Sequence, residues 1–534
     1  MDPASSADHA PKSGGVVGAP PAHQLKSWPT VAIAAAAVCL VSWLVASTLG
    51  IGLVDDSYIF LRFAENFASG NGPVFNIGER VEGYSSPLWM VLLTIVTASG
   101  VDPVAAAGTL SGILGFCLPI LILISLGQKS VYHFVAALVA GTFLASHPRA
   151  AFWSWSGMDT ALFASLCLLT LVLVCRPSQP DPRNAVLAGL AFAFSALARP
   201  EALAYLPAYL LYLVASDSGP ARRRLQVAIG FLAPMILVGA SFVVRKIYYG
   251  VWLPNTYYAK ADVDRMVLVA NGAEYLLSFL SANFVPIILL TALLVVALLR
   301  RETPRASWIL LLALVLTAMA TTVSLGGDHF PLHRFLLPAL VVISYGLARG
   351  FGEVTRWFPS LSGFGGVVLA AVLILLLGVS NFRLTGQSAP DAQAQIMMAE
   401  RWSEVGRWFH DYAEPHATMA SLVVGAIPYY SGLDCIDLLG LTDATVAREG
   451  PVYREGAVGH QRYHTDYVLS RRPTYIVFNQ SGLYDEPSSE IGLQHAYALW
   501  DILQDPRTTD SYDLRTVRMN NGKVVQFLEL IDQG

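Results

Sequence analysis

Long uncharged apolar runs recur along most of the chain, and they limit its possible folds more than any other feature. An α-helix needs about 20 mainly apolar residues to cross the roughly 30 Å hydrocarbon core of a bilayer. Only 13% of the 534 residues are charged, about half the usual share of roughly 25% in soluble domains. The sequence therefore predicts a polytopic α-helical membrane protein, and it excludes a water-soluble enzyme and a disordered chain.

Eleven of these runs are predicted to be membrane spans. They lie at 31–50, 103–126, 131–147, 159–175, 184–199, 202–216, 226–249, 284–300, 306–325, 333–349 and 364–383. The run 86–98 is too short to span comfortably, so we expect an interfacial or re-entrant helix there. Because the first span lacks a clear cleavage site and many spans follow it, we expect it to be retained.

Charge divides the chain into regions of different character. Residues 1–384 hold 23 basic and 18 acidic residues, whereas residues 385–534 hold 11 and 20. We expect a disordered tail at 1–27, a transmembrane domain at 28–384 with a functional first loop at 54–86, and a soluble α/β domain at 385–534. In that domain, 396–413 is predicted to be helical, 474–480 a strand and 515–530 a hairpin. No basic excess suggests nucleic acid.

The distribution of Lys and Arg predicts the orientation, because cytoplasmic loops are enriched in these residues. With the N-terminus in the cytoplasm and eleven spans, the C-terminal domain is extracytoplasmic. The protein is then expected in the plasma (inner) membrane, with membrane lipids around it. The basic residues that fall on the cytoplasmic side are Lys12, Lys26, Lys129, Arg176, Arg183, Arg222, Arg223, Arg224, Arg300, Arg301, Arg305, Arg349 and Arg356.

The remaining charges collect in the loops of the opposite, outer side. Charged groups at a membrane are costly and usually functional, so this clustering is the main indication of a site. Its members are Asp55, Asp56, Arg62, Glu65, Glu79, Arg80, Glu82, Asp159, Arg199, Glu201, Lys260, Asp328, His329, His333 and Arg334.

An adjacent pair of carboxylates, Asp55 and Asp56, follows the first span directly. Neighbouring carboxylates at an apolar boundary raise each other's proton affinity, which suits a general base or a metal site. The alternative is an ordinary hydrated helix end. Charges, glycines and aromatic residues follow densely through Tyr84, and a merely solvated loop does not need this combination.

The first loop resembles that of the GT-C glycosyltransferases, in particular enzymes similar to terminal β-(1→2)-arabinofuranosyltransferases. The resemblance begins with DDSYIFLRFAENFASGNGPVFNIGERVEGYSSPLW at 55–89. It continues in order with WSGMDTALF (155–163), LARPEAL (197–203), YYGVWLPNTYYAK (248–260), GGDHFPLHRFLLPAL (326–340) and YYSGLDCIDLLGLTD (429–443). Together these segments cover most of residues 28–450. Lipid A aminoarabinose transferases and protein O-mannosyltransferases are more distant relatives that share the acidic pair.

The resemblance implies a GT-C membrane fold and a specific reaction. A sugar, here an arabinofuranose, passes from a polyprenyl-phosphate donor to a hydroxyl of a glycan, lipid or protein acceptor on the outer face. Asp55 or Asp56 acts as the base, with a slight preference for Asp55. Arg199, Arg334 and Lys260 are candidate ligands of the donor phosphate. The candidate substrate-binding residues are Arg62, Glu82, Tyr84, Glu201, Asn255, Tyr257, Tyr258, Asp328, His329 and His333.

Structural roles compete with several of these assignments. Arg199 and Glu201 can pair with each other, and Asp328 can cap a helix. The two histidines can be structural, and the tyrosines can be interfacial anchors. Glu79, Arg80 and Glu82 can pair with one another as loop staples. No metal or other cofactor is required, although a divalent ion at Asp55 and Asp56 is an alternative.

Two other classes of function fit parts of the sequence. A transporter or lipid flippase also carries ionisable residues within its spans, but such sites usually lie near the bilayer midplane between related repeats. A non-catalytic, glycan-binding envelope scaffold would use the large outer domain alone. Because the charges gather at one face and the acidic pair is intact, the sequence favours the enzyme.

Overall fold

The computed structural model describes residues 28–175, 181–300, 304–361, 363–488 and 493–531. The predicted tail at 1–27 lies outside the described residues, as do Arg176 and Arg301. Helices make up the first part of the chain, and a small mixed sheet with short helices makes up the last part.

Helices occupy every one of the predicted apolar runs. The helices of this membrane body are α1 (Trp28–Leu49), α2 (Asp55–Ala68), α3 (Pro87–Ala98), α4 (Pro103–Leu126), α5 (Val131–Ser146), α6 (Pro148–Trp155), α7 (Thr160–Cys175), α8 (Pro182–Ala198), α9 (Leu206–Ser216), α10 (Ala221–Leu232), α11 (Ile236–Tyr249), α12 (Asn255–Ala259), α13 (Arg265–Ala282), α14 (Phe284–Leu299), α15 (Arg305–Ser324), α16 (Leu337–Trp357) and α17 (Phe364–Tyr412). Short 3₁₀ helices lie at Pro200–Tyr205, Ala233–Met235, Arg334–Leu336 and Pro359–Leu361.

When helices are selected by length and composition, fewer than the predicted eleven qualify as membrane spans. Among the described residues, 6 helices are long and apolar enough to cross a membrane, or up to 8 if each of two bent helix pairs counts as one span. The helices α3, α7 and α8 are apolar but have only 12, 16 and 17 residues. The chain is therefore a multi-pass membrane protein, and the count of eleven stays a prediction.

Two sharp bends interrupt the apolar helices and are joined to each other. The pair α5 and α6 bends by 63° at His147, and the pair α13 and α14 bends by 82° at Asn283. The Nε2 atom of His147 and the Oδ1 atom of Asn283 are hydrogen-bonded at 2.9 Å, with both side chains buried. This bond satisfies two polar groups inside an apolar body.

The connection between α11 and α14, residues 250–283, is largely helical. It contains α12 and the 18-residue α13. Asp264 caps α13, because its carboxylate accepts a hydrogen bond from the backbone N–H of Met266 at 2.7 Å.

Within its described residues, the C-terminal part contains five strands flanked by short helices. The strands are β1 (Thr418–Ser421), β2 (Asp434–Asp437), β3 (Tyr475–Val477), β4 (Tyr512–Arg518) and β5 (Val524–Leu530), and the helices are α18 (Ala426–Ser431), α19 (Ala444–Glu449), α20 (Thr465–Ser470), α21 (Leu493–Gln504) and α22 (Pro506–Ser511).

The strands form one sheet in the order β2-β1-β3-β5-β4. The strand β1 pairs in parallel with β2 and β3, and β5 pairs antiparallel with β3 and β4. The predicted strand at 474–480 contains β3, and the predicted hairpin at 515–530 is β4 and β5 with its turn at Asn521-Gly522. We call the end of the membrane body that contacts this domain the domain-side end.

Candidate functional site

A buried arginine joins two of the predicted acidic residues at the domain-side end. Arg334 pairs with Asp328, at 2.6 Å from Nε to Oδ2, and with Asp56, at 3.5 Å from Nη1 to Oδ2. The side chains of Arg334 and Asp328 are only 5% and 2% exposed, whereas that of Asp56 is 28% exposed. The Arg334 charge is therefore largely balanced by Asp328, and Asp56 keeps access to solvent.

Arg199 forms a second group of the same kind beside the first. Its guanidinium lies 3.4 Å from Asp159 and 3.6 Å from Glu201. The guanidinium groups of Arg199 and Arg334 lie 5.0 and 5.4 Å from the centre of the Phe335 ring, so this aromatic side chain joins the two groups. The predicted Arg199–Glu201 pair is present, and it also includes Asp159.

Lys260 and His329 complete this arrangement, which we call the charged cluster. Its members are Asp56, Asp159, Arg199, Glu201, Lys260, Asp328, His329 and Arg334. Burial, with the nearby Arg334 charge, lowers the pKa of Lys260, which also interacts with Asp328 and Asp56. Burial opposes ionisation of Asp328, but Arg334, His329 and Lys260 together lower the pKa of its carboxyl group.

Lys260 differs from the two arginines in the way its charge is balanced. Each arginine has two carboxylates within 4 Å, whereas the Lys260 ammonium has none among the residues that the structure describes. The residue as a whole is exposed, although enough protein atoms surround its ammonium group for desolvation to lower its pKa. A ligand anion therefore gains most from Lys260, because it does not have to displace a protein carboxylate there.

The turn that presents Asp328 and His329 has a strained backbone. Leu332 and His333 both have positive φ angles, of 64° and 49°. Such residues cost about 1–3 kcal/mol each and cluster at functional sites. The Nε atom of Arg149 donates a hydrogen bond to Nδ1 of His333 at 3.0 Å, and burial lowers the pKa of His333 to about 3. His333 is therefore neutral and helps to hold the turn.

The two adjacent aspartates of α2 point to different partners. Asp55 accepts hydrogen bonds from the backbone N–H groups of Gly425, at 3.2 Å, and Ala426, at 2.8 Å, at the start of α18. Burial raises the pKa of Asp55 from an ordinary 3.8 to about 7, with a contribution from Asp56, although the two N–H donors oppose the shift. Asp55 therefore joins α2 to the C-terminal domain, whereas Asp56 faces the charged cluster.

This divergence bears on the metal alternative for the acidic pair. A shared ion would need carboxylate oxygens of Asp55 and Asp56 to converge. Those of Asp55 are bound by backbone N–H groups, and those of Asp56 face Arg334. Within the described ranges, no group of three or more His, Cys, Asp or Glu side chains is arranged to hold a metal ion. The pair does not fit a shared divalent ion.

Four of the predicted substrate-binding residues are instead occupied by contacts within the protein. Arg62 donates to the carbonyl oxygens of Phe75 at 2.7 Å and Leu433 at 2.8 Å, and Glu82 pairs with Arg245. The hydroxyl groups of Tyr84 and Tyr249 are 3.1 Å apart. Asn255 is fully buried and donates to the carbonyl oxygens of Gly440 and Asp443. These contacts give all four residues a structural role, and their part in substrate binding stays a prediction.

The other predicted residues of this region are more open. Tyr257 is 55% exposed, and the Tyr258 ring lies 5.2 Å from the Arg448 guanidinium. Glu79 and Arg80 do not pair with Glu82: Glu79 bonds to Asn76 and Arg471, and Arg80 lies over the Tyr248 ring.

Two arginines that contact predicted site residues were not among the residues predicted from the sequence. Arg245 holds Glu82, and Arg149 holds His333. Arg245 lies within a predicted span and Arg149 at a turn between apolar helices, and a charge in such a place is itself a signal of a buried partner.

Two curated proteins resemble this chain over about half of its length. The terminal β-(1→2)-arabinofuranosyltransferase of Corynebacterium glutamicum is 29% identical over 355 residues, which is 56% of this chain and 49% of that protein. The enzyme of the same name from Mycobacterium tuberculosis is 32% identical over 274 residues, or 47% of this chain and 42% of that protein. The chain therefore matches about half the length of these relatives.

The C-terminal domain matches a different description. Residues 388–523 fit a domain of unknown function, DUF8728. This match begins and ends within the predicted soluble domain at 385–534.

Solved structures identify the fold. ArnT from Cupriavidus metallidurans, bound to undecaprenyl phosphate, aligns with a TM-score of 0.58 over 95% of this chain and 99% of that one, at 14% identity. The two chains thus share an architecture over nearly their whole length. This chain has the GT-C membrane fold, and in sequence it is similar to terminal β-(1→2)-arabinofuranosyltransferases.

Proposed function

We propose that this protein is a membrane glycosyltransferase that uses a polyprenyl-phosphate-linked sugar. The donor class is supported by the bound undecaprenyl phosphate of ArnT, and an arabinofuranose as the sugar is supported by the names of the two curated relatives. The acceptor is a hydroxyl group of an envelope glycan, lipid or protein on the extracytoplasmic face. The observation that carries the proposal is a solvent-accessible carboxylate, Asp56, in a cluster with the Lys260 ammonium group, which has no carboxylate within 4 Å in the described part of the chain.

In this proposal Asp56, rather than Asp55, is the base. The acceptor hydroxyl gives its proton to Asp56 while its oxygen attacks C1 of the sugar. The bond between C1 and the phosphate oxygen breaks, and its electron pair leaves with the polyprenyl phosphate. Arg334 holds the Asp56 carboxylate in place, and Asp55 positions α2 against the C-terminal domain. The transfer balances without a metal ion.

The remaining groups of the charged cluster bind substrate. Lys260 neutralises the leaving phosphate, because its charge is available. Glu201 has a buried Oε2 atom without a hydrogen-bond partner within the described part of the chain, and it accepts a hydrogen bond from a sugar hydroxyl. His329, whose side chain is 35% exposed, lines the same space.

Substitution of each aspartate separately tests the base. Asp56→Asn removes the proton acceptor and keeps the side-chain shape, so we expect kcat for sugar transfer to fall by about 10²–10⁴-fold. Asp55→Asn keeps an oxygen that accepts from Ala426, so its loss of kcat is expected to be under about tenfold. Purified variants in lipid nanodiscs are compared by transfer of radiolabelled sugar from a polyprenyl-phosphate donor.

Three results would reject the proposal. Full activity of Asp56→Asn would mean that Asp56 is not the base. Substrate counterflow in proteoliposomes without any glycosylated product would instead indicate a transporter or flippase, and glycan binding without turnover would indicate a scaffold. Thermal unfolding of each variant confirms that it is folded.

A further inference from the structure

One segment of the C-terminal domain reaches into the charged cluster. The covering hairpin, residues 452–462, is closed by an antiparallel bridge between Val452 and Arg462. The backbone N–H of Tyr453 donates to the carbonyl oxygen of Gln461 at 2.7 Å. The tip of this hairpin therefore has a defined position.

The tip touches two separate segments of the predicted site. The rings of His460 and His329 lie with their centres 4.8 Å apart and their planes at 89°. A Cβ atom on Gly459 would lie 3.4 Å from Cε of Lys260, and Gly459 has a φ of 86° that only glycine adopts readily. Glycine thus lets the tip pack against the stem of Lys260.

The base of the hairpin is fastened to the membrane body. The buried Arg462 pairs with Asp262 at 2.6 Å, and its Nη2 atom donates to the carbonyl oxygens of Tyr258 and Ala261 at 3.3 and 3.4 Å. These partners immediately adjoin Lys260 in the chain. The hairpin and the segment that presents Lys260 therefore form one unit.

The composition of the tip suits an anionic ligand. Val458, Gly459 and His460 bring no further carboxylate toward the Lys260 ammonium. His460 directly follows Gly459, which packs against the Lys260 stem, and its imidazole offers a phosphate oxygen a further N–H donor. Hydrogen bonds to charged groups contribute about 1.5–3 kcal/mol. The Glu455 carboxylate lies elsewhere on the hairpin and bonds to the Tyr453 hydroxyl at 3.1 Å.

We propose that the covering hairpin forms one wall of the donor site and that His460 binds the polyprenyl phosphate together with Lys260. This inference rests on the proposed function, because it assumes a polyprenyl-phosphate donor. It assigns a donor-binding residue to the C-terminal domain, which makes that domain a part of the site rather than only a neighbour of it.

Binding of undecaprenyl phosphate to the full chain tests the inference without sugar transfer. We expect this lipid to raise the thermal unfolding midpoint of the wild-type protein in detergent. His460→Ala and Lys260→Ala are each expected to need about tenfold more lipid for the same shift. His460→Gln keeps an N–H donor and is expected to recover part of the affinity. Glu455→Gln, on the same hairpin, is the matched control with wild-type binding.

The outcomes separate this inference from the proposed function. If His460→Ala and His460→Gln both bind undecaprenyl phosphate as the wild type does, the inference is wrong, whatever Asp56→Asn does to transfer. If His460→Ala loses affinity while Asp56→Asn keeps full transfer, the donor site stands and the assignment of the base fails. If His460→Ala has a lowered unfolding midpoint before lipid is added, the lipid affinity of His460→Gln decides the test instead.

Discussion

Asp55 is a carboxylate whose protonation is coupled to the contact between the membrane body and the C-terminal domain. It bonds to the backbone of Gly425 and Ala426, and a Cβ atom on Gly425 would lie only 2.6 Å from Oδ2 of Asp55. The close approach requires glycine at this position. The same burial that fixes the contact raises the pKa of Asp55 to about 7.

The raised pKa predicts a pH dependence of stability that depends on this residue. The folded protein binds the Asp55 proton more tightly than the unfolded chain, so stability falls as pH rises from about 4 to about 7 and then levels off. Asp55→Asn removes this dependence. Between pH 4.5 and 8, the thermal unfolding midpoint of the wild type is therefore expected to fall relative to that of Asp55→Asn.

A matched control isolates the effect of Asp55. Asp437, whose pKa burial raises to about 6, titrates in the wild type and the variant alike, so its contribution cancels in the comparison. Asp102→Asn, at an exposed helix cap, is expected to follow the wild-type profile. Parallel profiles of Asp55→Asn and the wild type would contradict the prediction.

Among the elements, the first loop is held to α11 by one buried ion pair. Glu82 and Arg245 have side chains only 3% and 7% exposed, and the Nη2 atom of Arg245 donates to Oε1 of Glu82 at 3.1 Å. Removal of one partner from such a pair leaves an uncompensated buried charge, which costs about 3–5 kcal/mol. This pair therefore fixes the loop that carries Tyr84.

A double-mutant cycle tests this role. Arg245→Met is expected to lower the free energy of unfolding by about 3–5 kcal/mol, and Glu82→Gln combined with Arg245→Met is expected to recover part of the loss. Arg515→Met in the half-exposed pair with Glu529 is the control, with a loss under about 1 kcal/mol. Additive losses in denaturant unfolding would mean that the two residues do not act as a pair.

The elements themselves could be predicted better than their contacts. Runs of apolar residues predict helices because the bilayer requires them, and every such run contains a helix. The helix α13 was missed because its sequence mixes apolar and polar residues, although Asp264 at its cap is a recognisable signal. The partners of Arg62 and Asn255 could not be predicted, since Leu433 and Gly440 are distant in sequence.

The same limit applies to the candidate site. Asp56, Lys260, Asp328 and Arg334 were all expected at one end of the membrane body, and the structure brings them together. The sequence could not distinguish these four residues from residues of the same loops whose side chains face the protein interior, because the side chains of neighbouring positions point in different directions. His460 had no signal, since its role depends only on where the domain folds back.

At the scale of the whole molecule, the distribution of Lys and Arg predicts which side of the membrane holds the C-terminal domain. We expect Leu514→Cys, at a position 59% exposed on β4, to react with a membrane-impermeant maleimide in intact cells. Arg222→Cys, at the start of α10, is expected to react only after permeabilisation. The native Cys435 of the domain is buried and gives little background. The opposite labelling pattern would invert the orientation.

The helix α17 sets the position of that domain without a flexible linker. It is one α-helix of 49 residues with Pro390 inside it, from an apolar beginning at Phe364 to Tyr412 just before the sheet. At about 1.5 Å per residue its axis measures about 73 Å. Each inserted residue would advance the sheet by about 1.5 Å and rotate it by about 100°. The length of α17 therefore sets both the distance and the rotation of the sheet relative to the membrane body. A change in that length would move the hairpin tip away from Lys260.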